Sequence, residues 1–196
     1  MKTHLKEIGD ILFYIGLAAF VYLKPKYDVW RKKKKINLTS SISIIQEIDK
    51  QCYYLLGLLD AKRISVWQFG NGQESFMGYS FKYASMIGEA VRQDQAFLRN
   101  ESQQIPIYDY IPILDLMKEE VLVEYHIEWV RESGKNLYHI LSSLGIEKAY
   151  DCKLNNDRLE DGILSISFDE NKILNKHDTD EIKRVAYNIY KLLKKK

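Results

Sequence analysis

The chain is short of the residues that build disulfide scaffolds and of those that build linkers. Only two cysteines occur in 196 residues, Cys52 and Cys152. They form neither a CxxC nor a metal-spaced pair, so no disulfide framework and no zinc module is encoded, and they read as two reduced thiols. Three prolines and ten glycines, with no low-complexity stretch and no internal repeat, leave no flexible linker and no solenoid. GxSxG, HExxH and P-loop sequences are absent, which removes three common catalytic and nucleotide-cradling chemistries. Charge of one sign is scarce too. The formal net charge is +2, and Arg31, Lys32, Lys33, Lys34 and Lys35 alone exceed it, so the remainder is slightly acidic. That balance gives no domain-wide nucleic-acid footprint.

What is present is a sharp contrast near the start. Ile11 to Leu23 (ILFYIGLAAFVYL) is unbroken apolar sequence, and the basic block at 31–35 follows within a dozen residues. As a helix the run spans roughly 20 Å, short of a hydrocarbon core of about 30 Å. Length alone therefore allows a buried core helix or an interfacial one. Against these, the run has no polar side to present to water. Tyr14, Tyr22, Tyr27 and Trp30 lie near its ends, as membrane-interface aromatics do. Lys6, Lys24 and Lys26 are placed to snorkel. A cleaved signal peptide is disfavoured because Lys24-Pro25-Lys26 follows where a small-x-small site belongs. The expectation is an uncleaved single-pass anchor in the inner or cell membrane. The positive charges after it place residues 36–196 in the cytoplasm. Trp30 and Arg31 to Lys35 would then meet lipid headgroups, making the bilayer the first expected partner.

Two parts follow: 1–35, anchor and basic juxtamembrane segment, and 36–196, a folded domain of about 160 residues, enough for one real core. Thr39 and Ser40 are candidate caps for a helix from about Ser41 to Leu59. Within it Ile45, Ile48, Cys52, Leu55 and Leu59 recur at 3-4-3-4 spacing. This is either a seam two copies share, giving a homodimer, or one helix face packed on its own domain. Lys62–Gly70 and Gln73–Ser85 read as strands joined by Asn71-Gly72. Met86 to Gln104 is ambiguous, with a polar helical middle. Tyr108 to Met117 reads as a short helix, Glu120 to Val130 as a strand, and Asn136 to Leu144 as a helix stopped by Gly145. Ile146–Leu154 and Ile163–Phe168 read as strands around a polar turn. Asp178–Lys195 reads as an amphipathic helix whose capping box is Asp178 and Glu181. The expected class is α+β: an N-terminal transmembrane helix, then an antiparallel sheet flanked by helices.

This order resembles the GAF family, chiefly at its close, where Ile146–Leu154, Ile163–Phe168 and Asp178–Leu193 follow the family's strand–strand–helix ending. Arg63 to Ser85 is similar to its opening hairpin. Phe69-Gly70-Asn71-Gly72, then Phe76, Gly78 and Glu89, also resembles small membrane-anchored GAF-like proteins of bacteriophages and prophages, with Gly70 where those carry His. The resemblance implies a ligand pocket walled by the variable middle, where Tyr108, Tyr110 and Tyr125 lie. Their alternative role is aromatic core packing. It implies no named ligand or cofactor: an NKFDE-type stretch is missing, and neither cysteine has a bilin-attachment context.

The four histidines, His4, His126, His139 and His177, form no metal-spaced set. His126 with Glu124 and Glu128 would share one strand face, as a metal or acid–base cluster or as a solvated face. Asp157, Glu160 and Asp161 lack the EF-hand register. The expected function is thus a non-catalytic, membrane-anchored sensory or binding module for a small molecule or a protein partner, with no nucleic acid and no metal. The alternative is a phage-encoded inner-membrane accessory protein, acting in lysis, genome entry or superinfection exclusion, that uses the fold as a scaffold.

Overall fold

The computed structural model describes residue 24 and residues 38–70, 82–133 and 135–194. The chain divides into two compact units, Met1–Ser43 and Ile44–Lys196, and the second is described here. The apolar run 11–23, the basic block, the 35/36 boundary and Asn71-Gly72 lie outside the described residues. Among the described residues no helix is long and apolar enough to cross a membrane.

The element order is α1 (Leu38–Leu59), β1 (Arg63–Gly70), β2 (Tyr83–Val91), β3 (Ile105–Pro106), a 3-10 turn (Ile107–Tyr110), α2 (Ile111–Glu119), β4 (Leu122–His126), α3 (Ile127–Ser133), α4 (Lys135–Ser143), β5 (Lys148–Asn155), β6 (Arg158–Phe168) and α5 (Lys176–Lys194). The strands form one antiparallel sheet in the order β3-β2-β1-β6-β5-β4. The expected α+β class is what folds.

Period-two alternation gives the sheet two different faces. Ile64 and Val66 of β1, Tyr150, Cys152 and Leu154 of β5, and Leu164, Ile166 and Phe168 of β6 point one way. They close a core against Ile48, Cys52, Leu55 and Leu59 of α1 and Ile182, Val185, Ala186 and Ile189 of α5. Four of the five seam residues on α1 are therefore spent on this chain's own sheet. They are 0–3% exposed, and Ile45 alone of the five is on the surface, at 40%. Of the two readings of the 3-4 spacing, these four residues take the second, a helix face packed on its own domain. Gly88 of β2 sits where α1 crosses, and a Cβ there would collide with Ile48.

Several expected boundaries move for local reasons. A two-residue turn at Asn71-Gly72 would set Gly70 opposite Gln73, but Gly70 pairs with Tyr83. The return strand accordingly runs on to Val91 and takes up the start of the ambiguous stretch. β2 carries a bulge at Ile87, because Val66 pairs with Gly88 and Trp67 with Met86. That extra residue resets the alternation, so Ala84, Met86 and Glu89 all face away from the long helices. β4 stops at His126, since the chain turns into α3 at Ile127. The cap of α5 is shifted by three residues: Asn175 and Asp178 exchange two bonds, each backbone N–H donating to the other's side chain at 3.1 and 3.0 Å.

Candidate functional site

The second face of the sheet is not fully covered. Alternation aims Arg63, Ser65 and Trp67 of β1, Asp151 of β5, and Ile163, Ser165 and Ser167 of β6 at a second apolar layer built from α2, α3 and α4. Between sheet and layer lies a cavity of about 120 Å³. Its floor is this row of strand residues. Tyr110, Ile113 and Leu114 line one side, Ile140 and Leu141 of α4 with Leu144 just after it another, and Leu98 and Ser102 the edge beside β2. The 3-10 turn explains the choice of side chains: residues three apart eclipse, so Ile107 and Tyr110 both turn inward. Tyr108 lies between them, is 56% exposed, and does not line the cavity. Of the three expected ligand tyrosines, the structure brings Tyr110 and Tyr125 together there and leaves Tyr108 out.

Asp151 is the chemical centre of the floor. It is 2% exposed, stands directly opposite Ser165, and accepts a hydrogen bond at Oδ2 from the Tyr125 hydroxyl at 3.1 Å. Its other oxygen, Oδ1, is buried with no hydrogen-bond partner among the described residues. Burial pushes this carboxyl from 3.8 up to about 6, with Ser165 and Tyr125 pulling the other way. The Tyr110 phenol is pushed up to about 12, by burial and then by Asp151 and Asp109. Tyr125 is raised well above 10 by burial and by Asp151. Both phenols therefore stay protonated as donors at any physiological pH.

The folded chain holds the Asp151 proton more tightly than the unfolded chain does. The associated stability is complete below about pH 4 and is lost as pH rises through about 6. A raise of about two units corresponds to about 3 kcal/mol. Asp151→Asn removes the charge and its burial cost. The expected result is a variant more stable than wild type by about 1–3 kcal/mol at pH 8 and equal to it near pH 4, read from urea unfolding at both pH values. Equal stability at both would show that the carboxylate meets no desolvation cost.

A buried ionic cluster borders the cavity. Arg63 pairs with Glu89, which is 1% exposed, and donates from Nη2 to the Ala96 carbonyl at 2.8 Å. Burial lowers the Arg63 pKa against the opposing pull of Glu89. The Glu89 carboxylate also accepts the backbone N–H groups of Leu98 and Arg99, each at 2.9 Å. Asp49 of α1 accepts the Glu89 backbone N–H at 3.2 Å and pairs with Arg99. One network thus runs from the cavity wall to α1.

The other candidates do not assemble. Glu124 pairs with Lys148 at 2.7 Å and Glu128 with Arg131 at 3.0 Å, and Glu128 lies on α3 rather than on the strand that carries Glu124 and His126. Asp161 is held by Asn155 and Lys194, both at 2.9 Å. No group of three His, Cys, Asp or Glu close enough to hold a metal occurs among the described residues. Cys52 and Cys152 lie in the core on the far side of the sheet, and burial pushes both thiols up to about 12. Asp151, Ser65, Ser165 and Arg63 were missed in the sequence. The available signal was parity: small polar or charged residues at every second position of otherwise apolar strands.

No family model matches the sequence, and no curated protein matches it. The fold has clear likenesses among solved structures. The blue-light-absorbing form of the Thermosynechococcus elongatus PixJ GAF domain superposes with a TM-score of 0.61 at 14% identity, covering 80% of this chain and 88% of that one. A far-red cyanobacteriochrome photoreceptor gives 0.60 at 10% identity, covering 86% and 97%. The phycoerythrobilin-bound GAF domain of a cyanobacterial phytochrome gives 0.53 at 11%, covering 83% and 91%. The fold is therefore that of a GAF domain.

Proposed function

We propose that this chain is a ligand-responsive binding module, without catalysis, held at the cytoplasmic side of a membrane by its N-terminal segment. The observation that carries the reading is the cavity: mostly apolar, built on the sheet of a GAF fold, with a buried carboxylate, Asp151, among its lining residues. A few convergent polar groups in an apolar pocket are the usual form of a small-molecule site. The neighbours' bilins do not transfer. A tetrapyrrole has four rings, whereas a cavity of about 120 Å³ is on the scale that admits a single benzene-sized ring. Neither cysteine borders it.

The response we infer runs through strands that serve both faces. Ser65 and Trp67 line the cavity while Ile64 and Val66, their neighbours on β1, pack on α1 and α5. Arg63, Glu89 and Asp49 form a second, polar route to α1. Filling the cavity biases the packing of α1, and α1 leads back toward the proposed anchor.

The anchor is tested by fractionating cells that express the full chain or a version lacking residues 1–35. The full chain is expected in the membrane fraction, resistant to salt and alkaline washing and released by detergent, while the shortened chain stays in the supernatant. Full-length protein in the supernatant without detergent overturns the membrane part and leaves the cavity untouched.

A further inference from the structure

The cavity is lined by two charged side chains, and both are already engaged. Arg63 directs its guanidinium to Glu89 and the Ala96 carbonyl. The Asp151 carboxyl takes the Tyr125 hydroxyl at Oδ2 and a hydrogen bond from Ser165, and its Oδ1 is fully buried, out of a ligand's reach. Trp67 spends its one donor, Nε1, on Ser65 Oγ at 2.9 Å. The Ser102 and Ser167 hydroxyls and the Tyr110 phenol add no charge. An ion entering here would leave water with no counter-ion to receive it.

The walls themselves are aliphatic and aromatic. Phe69 of β1, Met86 of β2, Leu98 of the following loop, Ile113 of α2, Leu141 of α4 and Ile163 of β6 converge on the space. Trp67 and Tyr110, with ring centroids 6.3 Å apart, pack on each other and form part of the wall. An apolar guest gains here from the area it takes out of water and gives up no hydrogen bond. A polar guest of the same size gives up its bonds to water and finds the charged groups spent on one another.

We propose that the ligand is an uncharged, apolar molecule of about one ring's size, held by packing rather than by polar contacts. The assignment rests on the cavity being a ligand site, as proposed above.

Benzene and pyridine test it, since they share one ring shape and differ by a C–H against a nitrogen lone pair. Each is supplied through the vapour to full-length protein in detergent micelles at pH 8, where pyridine is neutral. The vapour pressure then fixes the aqueous concentration whatever the micelles absorb. The methyl resonances of Ile113, Leu114 and Ile163 report the cavity. Those of Ile48 and Ile182, on the opposite face of the sheet, are controls. Benzene is expected to shift the cavity methyls and not the controls, and to bind about tenfold or more tightly than pyridine at equal aqueous concentration. Pyridine binding as tightly as benzene, or more tightly, overturns the apolar assignment and leaves the cavity as a binding site. No shift with either compound, or equal shifts in the control methyls, overturns the site and the assignment with it.

Discussion

Glu89→Ala is expected to destabilise the domain by about 3–5 kcal/mol, the range for breaking a buried ion pair from one side. The carboxylate has three jobs at once. It neutralises Arg63, which is 5% exposed, and it accepts the backbone N–H groups of Leu98 and Arg99. Its removal leaves an uncompensated buried guanidinium and two freed donors where the loop after β2 folds back. For a domain of this size the loss is a drop in Tm of about 10 °C. Glu89→Gln keeps an acceptor for the loop and is expected to fall between the two proteins. Arg63→Met combined with Glu89→Gln is expected to cost less than Glu89→Ala, because the unpaired charge goes with its partner. A Tm for Glu89→Ala within about 2 °C of wild type would mean the cluster is solvated and is no part of the cavity wall.

Gly162→Ala carries the second large effect, expected at about 2–5 kcal/mol. Gly162 lies inside β6 at φ +118°, outside the region an L side chain adopts readily. A Cβ there would also meet the carbonyl oxygen of Trp67 on β1 and the Leu154 side chain. The obstacle is backbone, which cannot rotate aside, so β1 and β6 must separate beneath the cavity. Gly57→Ala is the matched control. That position is helical and nothing lies within 4 Å of its Cβ, so alanine is expected to stabilise by about 0.5–1 kcal/mol. Opposite signs for one chemical change separate local geometry from composition; equal effects would refute the strand contact.

Much of this architecture was legible in periodicity. The α5 stripe of Ile182, Val185, Ala186 and Ile189 has the 3.6 period and is buried as that period requires. The pair β5 and β6 could be read from apolar runs flanking a polar turn. Reading failed where a local signal was outvoted by distant partners. Asn71-Gly72 has ideal turn chemistry, yet pairing with β1 and β3 draws the strand out to Tyr83–Val91. Ile127 continues the β-rich lettering of β4, and its backbone N–H still bonds the Glu147 carbonyl beside β5, but from Ile127 the chain turns into α3. Tyr108 and Tyr110 look alike in one dimension, and a single turn of 3-10 helix separates them into surface and cavity.

By itself the amino-acid order determined where α1, α5 and the β5–β6 pair lie, that the class is α+β, and that an apolar run and a basic block precede the body. These follow from patterns whose physics is local: period, caps and charge near an end. Tertiary structure alone decided that the 48–59 face of α1 closes on its own sheet, and that Asp151, Tyr125 and Trp67 share one cavity. It also decided that the two cysteines lie on the face of the sheet opposite that cavity. Those outcomes depend on strand register, and a shift of one residue exchanges the two faces of every strand.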